Sequence, residues 1–207
     1  MTEHETRDGW TRATEIVGVF LLSITAVLTA WCGFEASKWG GEMSIAFSQA
    51  SSARIQAAAA EGEARSATSF DLTIYAAYVE AAGSGEEELA DYIRERFTPE
   101  FEVAYDAWVR DGQVERAPFA RDEYVPEGTF EAQELSARAD AKFAEALENN
   151  QRGDNYSLLT VLFALVLFLT AMSQREIAPW VARTLLGLAA VVAIVGIVIL
   201  STFPIKI

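Results

Sequence analysis

Side chains that do chemistry are few in this chain and far apart. The one histidine, His4, lies near the start, and the one cysteine, Cys32, sits at the end of an uncharged apolar run. One His and one Cys build neither a tetrahedral zinc site nor a nucleophile–base pair oriented by a third group. Glu86, Glu87 and Glu88 suggest calcium, but successive helical carboxylates splay around the axis, and calcium takes about six to eight converging oxygens. At a helix N-terminus they serve instead to complement the dipole. Gly40-Gly41 is followed by Glu42, so no phosphate-cradling loop forms there. The expectation is a chain that is not an enzyme and has no catalytic, metal or cofactor-binding residues.

One charged group invites a structural role. Glu35 and Lys38 follow the first apolar run, and Asp154 stands just before the second. If those runs pack side by side, Lys38 and Asp154 meet in a partly dry site, with Glu35 beside them. The expectation is a latch that fixes how a polar domain leaves the membrane.

The elements that would position these groups are helices. Ile16 to Phe34 contains no charge, and nineteen residues cover about 28 Å as a helix, enough for a hydrocarbon core of roughly 30 Å. Leu158 to Met172 and Val181 to Phe203 are the second and third such runs. The predicted fold is all-α: an integral membrane protein with three transmembrane helices and a helical extracytoplasmic domain between the first and second. Its segments are a 1–14 tail, a 15–34 span, a 35–156 acidic domain, a 157–173 span, a 174–180 loop, a 181–203 span and a 204–207 tail. Residues 35–156 hold 25 acidic and 11 basic residues, so the whole net charge of −14 resides there. Such a surface repels nucleic acid and leaves membrane lipid, a membrane-protein partner or a second copy of the chain as the expected partners.

Orientation follows the basic residues of the short segments. Arg7 and Arg12 precede span one, and Arg175 and Arg183 flank the link between spans two and three. Both sides then face the cytoplasm, with the acidic domain outside a plasma membrane. Trp10 and Trp180 are expected as interfacial anchors on the inner side, and Trp31, Trp39 and Tyr156 on the outer side.

The polar segment after span one is rich in alanine. Ala46, Ala50, Ala53, Ala57, Ala60, Ala64 and Ala67 recur in alternating steps of four and three, a heptad seam of small side chains. Traced back, the seam meets Ala36, Cys32, Thr29 and Thr25, and small residues of this kind let helix backbones approach closely. Glu42 to Ala82 reads as one helix, kinked if anywhere at Gly40-Gly41. Glu86 to Phe97 and Pro99 to Arg110 follow, the latter capped by Thr98. Gly112 to Gly128 is a loop. Phe130 to Asn150 is a helix with Leu135, Ala139, Phe143, Ala146 and Leu147 as its apolar stripe.

Three stretches carry a resemblance: Ala30 to Trp39 (AWCGFEASKW), Arg96 to Val109 (RFTPEFEVAYDAWV) and Asp154 to Tyr156 (DNY) before an apolar span. In their order and layout they resemble a family of uncharacterised prokaryotic three-span membrane proteins. The resemblance implies the fold and carries no activity. The expected function is a non-enzymatic, self-associating structural or interaction component of a cell-envelope assembly. The alternatives are an oligomeric cation-favouring channel with an acidic vestibule, lined by Thr25, Thr29 or Thr160, and a ligand or envelope sensor acting through the 112–128 loop.

Overall fold

The computed structural model describes the backbone of residues 2–175 and 177–206, and the side chains of those from residue 14 onward. The anchor Trp10 and the side chains of the 1–13 tail lie outside the described residues. Among the described residues five α-helices follow one another, α1 (Thr2–Ser84), α2 (Glu87–Arg94), α3 (Pro99–Arg110), α4 (Thr129–Ser173) and α5 (Pro179–Leu200), with a short 3-10 turn at Pro118–Ala120. Among the described residues there is no strand. Three of the helices, α1, α4 and α5, contain stretches long and apolar enough to cross a membrane.

Two helices run on through glycine. Helix α1 runs unbroken through Gly40-Gly41, and α4 continues through Gly153 into its apolar half. A helix interior tolerates glycine at a cost of about 1 kcal/mol relative to alanine, and long flanking runs of good helix formers absorb it. Breaks appear where the chain has no other choice. Gly85, Gly112 and Gly128 take positive φ, and Pro99 occupies the first turn of α3 while Thr98 Oγ1 accepts the Phe101 N–H at 3.3 Å.

The chain divides into two compact units, residues 48–143 and the remainder. In the first, α1 and α4 lie side by side with alanine between them. Ala50, Ala53, Ala57 and Ala60 of α1 are buried, as are Ala132 and Ala139 of α4. Arg54 reaches across to Asp140 at 2.7 Å. At one end, Gly128 presses so closely on α1 that a Cβ there would stand 2.7 Å from the Ala60 carbonyl oxygen. Beyond the seam an aromatic cluster takes over. Phe97, Phe101, Tyr105 and Trp108 pack with Tyr75, Tyr78, Phe119 and Tyr124, and Phe101 stacks on Phe119 at 4.6 Å.

In the second unit the three apolar stretches pack on one another. Val166 of α4 and Ala189 and Ala193 of α5 form a buried cluster that Leu21 of α1 joins. Gly196 sits against the Phe163 ring, where a Cβ would come within 2.8 Å. Between α4 and α1 the approach at Gly153 is less tight, and a Cβ there would stand in ordinary contact with the Ala36 carbonyl oxygen at 3.5 Å and the Trp39 Cβ at 3.6 Å.

The stripe expected on α4 is corrected. Ala139 and Ala146 are buried, but Phe143 and Leu147 are about half exposed, and Ala132, Asn149 and Gly153 are buried instead. The contact is set by how closely the backbones approach. Small side chains therefore win the buried positions from larger apolar ones.

Candidate functional site: a clasp around residues 203–206

The polar side chains nearest to chemistry gather at the end of span one, where Cys32, Glu35 and Trp39 share one face of α1. Their spacing of three and four residues puts them one above the other on the helix. All three are buried, Glu35 completely. Tyr156 of α4, also buried, packs in the same cluster as Cys32 and Trp39.

The segment after α5 enters this cluster and is held at four points. Glu35 Oε2 accepts the main-chain N–H of Lys206 at 2.9 Å. Tyr156 Oη donates to the Pro204 carbonyl at 2.9 Å, and its ring meets Phe203 edge-on at 5.3 Å. The Lys206 ammonium pairs with Glu42 at 3.4 Å and lies over the Trp39 ring at 5.6 Å. Arg152 of α4 covers the same ring at 4.7 Å, so one indole carries two cations.

The expected latch is therefore replaced. Lys38 and Asp154 are both exposed and do not pair; Asp154 accepts instead from Asn150 Nδ2 at 3.1 Å, one turn back on its own helix. Glu35 holds the segment around Lys206, and Lys206 supplies the cation that Lys38 does not. The physical reason is helix phase: Lys38 follows the buried Glu35 by three residues but precedes the buried Trp39 by one, which turns its side chain off the packed face.

The remaining expected positions divide in the same way. Of the seam, Thr25, Cys32, Ala46, Ala50, Ala53, Ala57 and Ala60 are buried, while Thr29, Ala36, Ala64 and Ala67 are half-buried. One chain alone buries them, so these contacts are intramolecular. Trp31 and Trp180 are exposed, whereas Trp39 and Tyr156 lie inside the packed helices and serve the clasp. Of the hydroxyls proposed to line a pore, that of Thr25 is buried without a partner among the described residues, while those of Thr29 and Thr160 bond their own helices. Thr29 Oγ1 donates to the Thr25 carbonyl at 2.7 Å and Thr160 Oγ1 to the Tyr156 carbonyl at 3.0 Å.

The sequence reading missed a second polar centre, in the 48–143 unit. Asp71 is 2% exposed and accepts from two hydroxyls, Thr98 Oγ1 at 2.7 Å and Tyr124 Oη at 2.9 Å. It thereby ties α1 to the cap of α3 and to the 111–128 loop. Burial, together with the bond to Asp71, pushes the Tyr124 phenol up to about 12. Nearby, Arg121 gathers Asp111, Glu115 and Glu123 at 2.7, 3.0 and 3.0 Å, and holds the Glu123 carboxyl below its ordinary range. A surface groove of about 410 Å³, lined by Glu61, Arg65, Gln133 and Ser136 among others, opens where the alanine seam ends.

Comparison with family models, with curated proteins and with solved structures finds no match for this chain.

Proposed function

We propose that the chain is a non-enzymatic, multi-pass protein of the plasma membrane that self-associates as a structural or interaction component of a cell-envelope assembly. In this reading the N-terminus is cytoplasmic and the acidic helical domain stands outside. The observation that carries it is a second small-residue face on α1. The first seam is filled from within the chain, so it is not available to another copy. On the neighbouring face of the helix, about 100° round from the seam, Ser23, Ala26, Ala30, Gly33, Ser37, Gly40 and Ser44 recur in steps of three and four, all exposed apart from the half-buried Gly40. A Cβ added at Gly33, Gly40 or Gly41 would meet nothing within 4 Å.

These glycines answer to no packing need inside the chain, although each costs a helix about 1 kcal/mol relative to alanine. A face of this kind suits close approach by another membrane helix. The locally bonded hydroxyls of Thr29 and Thr160 weigh against the channel alternative.

The test is the native mass of the protein released from lipid nanodiscs. The wild type should leave as a discrete multiple of 22.6 kDa. The double variant Gly33→Leu, Ser37→Leu should leave as a single chain with its helicity unchanged, because neither side chain meets anything within its own chain's packed face. A wild type that leaves as a single chain would refute self-association.

A further inference from the structure

Two buried polar atoms in the clasp have no partner among the described residues: the Glu35 oxygen that does not hold Lys206, and the indole nitrogen of Trp39. Their residues are 0% and 5% exposed. One atom accepts and the other donates. The residues stand four apart on the same helix face, a spacing that brings Cβ atoms to about 5–6 Å. Both residues also touch Lys206, Glu35 at its main-chain N–H and Trp39 beneath its ammonium.

We infer that Glu35 and Trp39 bind one internal water molecule, which accepts from Trp39 Nε1 and donates to the free Glu35 oxygen. A buried donor or acceptor left without a partner costs roughly 1–3 kcal/mol, and more for a carboxylate. A single ligand relieves both atoms when it donates and accepts at once. A bare cation would satisfy Glu35 and repel the indole N–H. An anion would satisfy the indole and repel the carboxylate. Internal waters typically make about three hydrogen bonds to buried polar groups, and this site offers two of them from one helix. The bound water makes Glu35 bidentate in effect, with one oxygen on the 203–206 segment and the other on Trp39. The clasp and the indole that carries Arg152 and Lys206 become one hydrogen-bonded unit.

The test is magnetisation transfer from water to the Trp39 indole proton in deuterated, ¹⁵N-labelled protein in nanodiscs, with the resonance assigned through Trp39→Phe. The expected result is transfer with the sign of a bound water and not of chemical exchange. It should persist in Glu35→Gln, which keeps an acceptor oxygen, and fall in Glu35→Leu to the level of exposed Trp180. Absence of transfer in the wild type, or a direct coupling between the indole and the Glu35 carboxylate, overturns the inference. Because the wild type and Glu35→Gln already decide the matter, a failure of Glu35→Leu to fold leaves the test intact.

Discussion

Asp71 shows how a single carboxylate organises several elements. It sits four residues beyond Ala67, at the position where the alanine stripe would next place a small apolar side chain, and it bonds two hydroxyls from separate parts of the chain. Asp71→Leu leaves the Thr98 and Tyr124 hydroxyls without their acceptor, at roughly 1–3 kcal/mol each where they stay buried. Chemical denaturation of the full protein in nanodiscs should register the loss, and Asp71→Asn should recover part of it. The raised Tyr124 phenol adds a dependence on pH. Between its ordinary value near 10 and about 12 the folded state keeps a proton that the unfolded state has lost. Stability from this group is therefore complete below about pH 10 and falls as pH rises toward 12. In Tyr124→Phe that part of the alkaline decline should vanish, as followed by helical ellipticity against pH. Gly128 makes the complementary point about backbone. With φ at +87° and the Ala60 carbonyl in the way, Gly128→Ala should cost about 1–3 kcal/mol. Gly62→Ala, with open space around it and a helix to gain, should be neutral or stabilising.

At the scale of elements, the paired helices depend on backbones that approach closely. Ala57→Leu puts three extra carbons into that contact and should destabilise by about 1–3 kcal/mol, whereas the same change at the exposed Ala58 should not. The 111–128 loop depends on Arg121. Arg121→Ala leaves Asp111, Glu115 and Glu123 facing one another, and amide exchange across the loop should quicken, most of all at low ionic strength. Since Glu123 is held below its ordinary range, its contribution is present at neutral pH and is lost as pH falls through that depressed value. The alanine seam was legible because steps of four and three survive in the letters of the sequence. Its partner stripe on α4 was legible only in part: Ala139 and Ala146 belong to the expected stripe and are buried, but Leu135, Phe143 and Leu147 outweigh Ala132 and Asn149 on any scale of hydrophobicity. The clasp was hidden for a different reason. Glu35 and Tyr156 bind the main chain of residues 204 and 206, and main-chain groups leave no signature in residue types. Asp71 was hidden among the many acids of an acidic segment, and only its place in the stripe distinguishes it.

For the molecule as a whole, α1 presents two small-residue faces of opposite fate. One is closed by the chain's own α4, and the other is open along Ser23 to Ser44. Self-association through the open face predicts that Gly33→Leu acts on native mass without acting on helicity. Ala53→Leu, on the closed face, should act on stability whatever the copy number. Measuring both quantities on both variants separates the two surfaces within one protein.

The division of residues 48–143 into an alanine pair and an aromatic cluster also has a consequence for heat capacity. Unfolding raises heat capacity in proportion to the apolar surface released to water. A seam alanine releases one methyl, while each ring around Phe101 releases a surface several times larger. The curvature of stability with temperature is therefore concentrated in the aromatic cluster, and the alanine pair contributes a flatter profile. On cooling, the part of the driving force that the cluster supplies weakens more than the part supplied by the paired helices.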